Sequence, residues 1–242
     1  MEVPQLLQTV AVYALPVLLA ITLHEAAHGY VARQFGDMTA FAQGRISLNP
    51  VRHIDALGTI VAPLLILFLS GGKFLFGWAK PVPVNYSALR RPKQHMAWVA
   101  AAGPAANLAM AIMWALVLRA AVSLSGRADA WLAVMKHYGA GGLVSAVLRE
   151  GHGVVEFLIG VGAAGILVNL VLMLLNLLPI PPLDGGRILT SLLPQGAAGR
   201  FARIEPWGLP ILMLLLVTNV LGVVLNPLFN ETEALIRAFV LL

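Results

Sequence analysis

His24, Glu25 and His28 form the segment HEAAH at a place where ionisable groups are costly, because the run Val3–Leu23 before them carries no charged side chain. On a helix, residues four apart point only about 40° apart, so both imidazoles face one side and can hold one metal ion. Glu25 points about 100° away from His24, beside such an ion rather than on it. A carboxylate there can take a proton from a metal-activated water and return it to a leaving amine. H-E-x-x-H on a helix is the pattern of zinc-dependent hydrolysis, and with 6 His in 242 residues it arises by chance roughly 0.004 times per chain.

Two histidines leave a catalytic zinc site short of its usual three protein ligands. Asp184, in NLLPIPPLDGG (Asn176–Gly186), is the candidate for the third. Prolines at 179, 181 and 182 end the preceding helix there, and Gly185–Gly186 free the backbone, so the carboxylate can swing toward HEAAH. The alternative is that Asp184 caps a short helix from Gly185 to Leu193. Asn107 and Asn176 are neutral polar residues inside apolar runs. Each either hydrogen-bonds a substrate carbonyl or oxyanion, with Asn107 ahead as oxyanion stabiliser, or joins helices. His53 is a candidate for the site's entrance, and Arg187 either orients Asp184 or anchors at the membrane interface.

The elements that must position these groups are those of an integral membrane protein. Only 11% of residues are charged and 59% are apolar, against about 25% charged in soluble domains. The absence of Cys excludes disulfides and cysteine catalysis, and the scattered Lys and Arg exclude a nucleic-acid partner. The start, MEVPQLLQ, has no basic region, so the first apolar run reads as a retained span. That span covers about Val3–Phe35 and is kinked at Pro16. Later spans are expected at Gln94–Leu118, Gly153–Leu178 and Trp207–Leu225. Ala97, Ala101, Ala105 and Ala109 make a small-residue stripe for close helix contact. A surface helix is expected over Ala128–Val147, and a short C-terminal helix after an Asn230 N-cap. Residues 36–53 and PVPVNY have the alternation of short strands. Ala56–Ser70, apolar but short and interrupted by Pro63, suits a re-entrant segment. With that segment re-entrant, 11 Lys and Arg lie on the side of HEAAH and 5 on the other; a full crossing gives 8 and 8. The positive-inside rule then places His24 and His28 toward the cytoplasm. There is no internal repeat, and residues 1–242 read as a single domain.

HEAAH, GPAAN (Gly103–Asn107) and NLLPIPPLDGG, in that order, resemble the signatures of the site-2 protease family of intramembrane zinc metalloproteases. The resemblance implies one Zn2+ bound by His24, His28 and Asp184, with Glu25 as catalytic base and the site on the cytoplasmic side. It also implies a membrane-embedded sheet, for which residues 38–48 and 81–86 are the candidates and whose edge could pair with an unwound substrate strand; some relatives carry a PDZ or CBS module, and the length here suits only a compact form without either. The resulting expectation is an all-α polytopic membrane protein with about four to five transmembrane helices, a re-entrant segment and a small membrane-associated β-sheet. It would lie in the plasma membrane and cut within or near transmembrane segments of membrane-protein substrates. A metal-ion transporter and a proteolytically silent relative that only binds such partners are the alternatives.

Overall fold

The computed structural model describes residues 3–61, 65, 68, 79–151 and 153–241. Among these residues three helices are long and apolar enough to cross a membrane: α1 (Val3–Gln34), α3 (Pro92–Leu124) and α5 (Val154–Asn176). At 1.5 Å per residue the 32 residues of α1 extend about 48 Å, so the helix outreaches the ~30 Å hydrocarbon core and its HEAAH end emerges near one interface. These three helices pack together. Met110, Ala111, Trp114, Ala115 and Leu118 of α3 meet Ala163, Ala164, Ile166 and Leu170 of α5, with Val12 and Ala20 of α1 closing the core. Outward-facing apolar residues such as Leu6, Leu7, Val10 and Leu116 are exposed, as a lipid-facing surface requires. The protein is an integral membrane protein.

The contact face of α3 differs from the expected alanine stripe. Ala105 and Ala109 lie exposed, and the buried face runs through Val99, Gly103, Asn107, Met110 and Trp114. Burying that face brings the polar Asn107 inward. The following helix, α4 (Ala128–Glu150), is no mere surface element, since Trp131, Met135, Leu143 and Val147 join the core. It breaks at Gly139, where φ is +64°, and the buried Glu233 carboxylate accepts the Ala140 N–H at 2.5 Å.

After α5 come two short helices, α6 (Asp184–Leu192) and α7 (Gln195–Ala202), then α8 (Gly208–Val217) and α9 (Val220–Leu241). The expected span Trp207–Leu225 is therefore split. Asn219 takes a left-handed φ of +59°, which Asn tolerates better than most residues, and the chain bends by 81° there. Asn230 lies inside α9 rather than capping a helix. Among the described residues the spans number three, or four with the bent pair counted as one, against the four to five expected.

The expected membrane-associated β-sheet is not there: the described residues contain no strand. Residues 38–48 instead hold the short helix α2 (Thr39–Ala42), whose start is tied by Asp37 Oδ1 accepting the Thr39 N–H at 2.9 Å. Residues 81–85 form no regular element, and Pro81 and Pro83 have no N–H to give a ladder. The donors on either side are taken singly. Lys80 N–H goes to His53 O at 2.9 Å, Val82 N–H to Glu25 Oε2 at 2.7 Å, and Asn85 N–H to Asp37 Oδ2 at 2.7 Å. Alternation in this stretch thus reflects a proline-fixed segment held by side chains. Ala56–Val61 forms a π-helical turn, and the rest of the expected re-entrant segment lies outside the described residues apart from positions 65 and 68.

Candidate metal centre

α1 carries His24 and His28 one turn apart, and both rings are buried against α3. α3 makes room for them at Gly103: a Cβ there would stand 2.5 Å from His28 Nε2 and 2.6 Å from His24 Nε2. Pro104 follows, buried in the same helix, and leaves the Ala100 carbonyl without its usual helical donor. The third component arrives from α6. After α5 the chain turns through Leu177–Leu183, and the helix starts at Asp184 itself. Gly185 permits that approach, since a Cβ there would lie 2.2 Å from the Leu177 carbonyl oxygen. Asp184 is thus set by a tight packing of α6 onto the turn, rather than by a capping role at its own helix.

The three side chains converge. His24 Nε2 lies 3.1 Å from His28 Nε2, and Asp184 Oδ2 lies 3.2 Å from the first and 3.3 Å from the second. The outer nitrogens fix what these atoms are. His28 Nδ1 donates to the Val99 carbonyl at 2.7 Å, an acceptor only, so its proton sits on Nδ1 and neutral Nε2 bears a lone pair. His24 Nδ1 donates to Asn107 Oδ1 at 2.6 Å, with the same consequence. Asp184 Oδ2 is buried and has no hydrogen-bond partner. Burial raises the Asp184 carboxyl, and hydrogen bonds and charge from the imidazoles in their protonated form more than reverse this, to about 2.

Three electron-pair donors therefore face one another across 3.1–3.3 Å with nothing of this chain between them, an arrangement that favours a cation. Tetrahedral zinc with bonds of about 2.0–2.1 Å needs ligand atoms about 3.3–3.4 Å apart, so the N, N, O set fits it and leaves a fourth position.

Glu25 is half-buried beside this cluster, and its Oε2 accepts the Val82 N–H from the 81–85 segment. Asn107, expected as an oxyanion donor, is fully buried with its amide occupied: Oδ1 by His24, and Nδ2 by Asn169 Oδ1 at 3.0 Å and by Ala20 O at 3.5 Å. Asn176 donates to Leu172 O of its own helix at 2.9 Å. His53, also buried, donates from Nε2 to Ser47 O at 2.8 Å and ties its loop to Lys80. Arg187 reaches the Tyr86 hydroxyl rather than Asp184, joining α6 to the chain just after the 81–85 segment. Asn169 was not singled out from the sequence, although it gives the same signal as Asn176, an Asn within an apolar span seven positions earlier.

Peptidase family M50 matches this chain over residues 12–218, from within α1 to the end of α8 and across every residue of the cluster. The Bacillus subtilis (strain 168) protein titled "Putative zinc metalloprotease YwhC" is 36% identical over 223 residues, covering 92% of this chain and 88% of its own. A protein of Mycolicibacterium smegmatis with the same title but the name Rip2 is 29% identical over 205 residues, 85% of this chain and 66% of its own length. The Rip2 of Mycobacterium tuberculosis strain H37Rv shows the same identity and coverage. No solved structure matches the chain. With a match over most of its length, including both HEAAH and LDGG, the chain belongs to peptidase family M50.

Proposed function

We propose that His24, His28 and Asp184 hold the zinc ion of this intramembrane metalloprotease and that Glu25 is its catalytic base. The observation that carries this reading is the convergence of three buried, otherwise unpartnered donor atoms whose outer nitrogens are already tied to α3. Zinc held there supplies Lewis acidity, polarising a carbonyl oxygen and drawing the pKa of water down to about 7. The residues of the chain do the rest. His24 and His28 keep their Nε2 lone pairs on the ion because their Nδ1 protons are engaged. Glu25, adjacent to His24, takes the proton of the attacking water and passes it to the departing amine. The Val82 N–H holds one carboxylate oxygen, leaving the other, which accepts from no described residue, to carry that proton. In this arrangement Asn107 is a positioning residue for His24.

The substrate class follows from the setting. The cluster stands near the end of a span longer than the bilayer core, so the scissile bond lies within or near a transmembrane segment. A substrate helix must unwind first, because its carbonyls are held in i→i+4 hydrogen bonds. The Lys and Arg distribution supports a site on the cytoplasmic side.

Purified protein and its Glu25→Gln variant, each tested on helix-destabilised transmembrane peptides with bound zinc quantified, test the reading. Wild type is expected to cleave, and the variant to keep about one zinc per chain without cleaving. Undiminished cleavage by the variant would remove Glu25 from its role, and zinc-free, properly folded wild type would remove the metal ligands from theirs.

A further inference from the structure

We propose that Asn169, outside the three motif segments, is a positioning residue that sets the tautomer of His24 through Asn107. The inference rests on the reading of His24 as a zinc ligand. For His28 the tautomer needs no help, because the Val99 carbonyl can only accept. For His24 the partner is a side-chain amide, and an amide can present either end. Were Asn107 turned over, its NH2 would face His24 Nδ1, which would then have to be the bare nitrogen. The ring proton would move to Nε2, the atom that points at Asp184, and the metal would lose a donor.

What keeps Asn107 from turning is on α5. Asn107 Nδ2 donates to Asn169 Oδ1 at 3.0 Å, and its other acceptor, the Ala20 carbonyl, is at the 3.5 Å edge of hydrogen bonding. Asn169 is itself an amide, and it too is held from one end: Nδ2 donates to the Gly165 carbonyl at 2.9 Å. A backbone carbonyl has no donor to offer. Polarity therefore runs one way, from Gly165 O through Asn169 and Asn107 to His24 Nδ1, and ends as a lone pair on Nε2. Both asparagines are fully buried, so no bulk water competes for these bonds. Turning the pair over together would set Asn169 Oδ1 against the Gly165 oxygen in a dry interior.

The test uses full-length protein in bilayers, metal removed, with its histidines labelled by 13C and 15N, and reads each ring's tautomer by solid-state NMR and then zinc affinity by titration. Wild type is expected to show His24 and His28 both protonated on Nδ1. Asn169→Leu, which removes the relay but keeps the bulk, is expected to leave His28 unchanged, to mix the His24 tautomers and to weaken zinc about tenfold, the low end for outer-shell partners. The deciding variant is Asn107→Asp together with Asn169→Leu. A carboxylate has no donor end to misplace, so the double variant should restore the Nδ1-protonated His24 and recover most of the zinc affinity. A packing role for Asn169 predicts no such rescue, and failure of the double variant to restore the His24 signal while the His28 signal stays native would overturn the proposal. An unaltered His24 tautomer in Asn169→Leu would overturn it too. The parent reading fails separately: His24→Ala would then bind zinc as tightly as wild type.

Discussion

The proposed metal ligands and the proposed catalytic base sit side by side but belong to two differently built regions. His24, His28 and Asp184 are held entirely from helices: Val99 and Asn107 on α3, and the packing of α6 onto the end of α5. Glu25 is held by Val82, in a segment that is itself fastened by Asp37, His53 and Arg45, the last donating to Lys80 O at 2.9 Å. The helical region is buried apolar contact, stiff and dry, whereas the other is a set of single hydrogen bonds between irregular pieces. Metal retention and turnover should therefore respond to different substitutions.

The harshest test of that division is Gly103→Ala. A methyl group 2.5–2.6 Å from both Nε2 atoms occupies the space between the imidazoles, so bound zinc and cleavage should vanish together while α-helical content persists. Metal analysis beside circular dichroism checks this. Glu25→Gln comes next: cleavage should fall about 10²- to 10⁴-fold, the usual share of general acid–base catalysis, with zinc stoichiometry intact. Val82→Pro deletes the N–H that aims Glu25 together with a buried side chain, and a fall in kcat of about tenfold with unchanged zinc affinity is expected. Should Val82→Pro lose zinc, the two regions are not separable. Asp37→Ala leaves the Thr39 and Asn85 N–H groups without their acceptor, costing about 1–3 kcal/mol locally. Faster proteolysis near residues 37–45 and 79–86, with zinc retained, would show it. Chelation should abolish cleavage but leave the fold in place. A helical core that closes without the ion should survive it, with Tm lowered by a stabilisation of about 2.7 kcal/mol when free zinc stands at 100 times Kd.

What the sequence shows and what it hides divide along the same line. HEAAH is legible because helical period alone puts His24 and His28 on one face, whereas Asp184 is legible only in part, because a carboxylate before a short helix can equally cap it and only the close packing of Gly185 on Leu177 brings it to the histidines. The small sheet is illegible for a physical reason: a proline-spaced segment alternates like a strand whether or not a ladder exists, and only the destinations of the Val82 and Asn85 N–H groups decide. The break at Asn219 is hidden because one left-handed residue leaves no trace in an apolar run. Asn107 is visible as a polar residue in a span, but its direction depends on Asn169, sixty-two positions on, which no local pattern connects to it.

Asp184 has one further consequence, because it comes so late in the chain. A ribosome delivers the helix bearing His24, Glu25 and His28 to the bilayer before Asp184, and α3, α4 and α5 must follow before this proposed third ligand is even synthesised. On that assignment the polypeptide lacks a complete zinc site through most of its own biosynthesis. A chain that stops before α6 should then be inert, and only one translated and assembled past α6 armed.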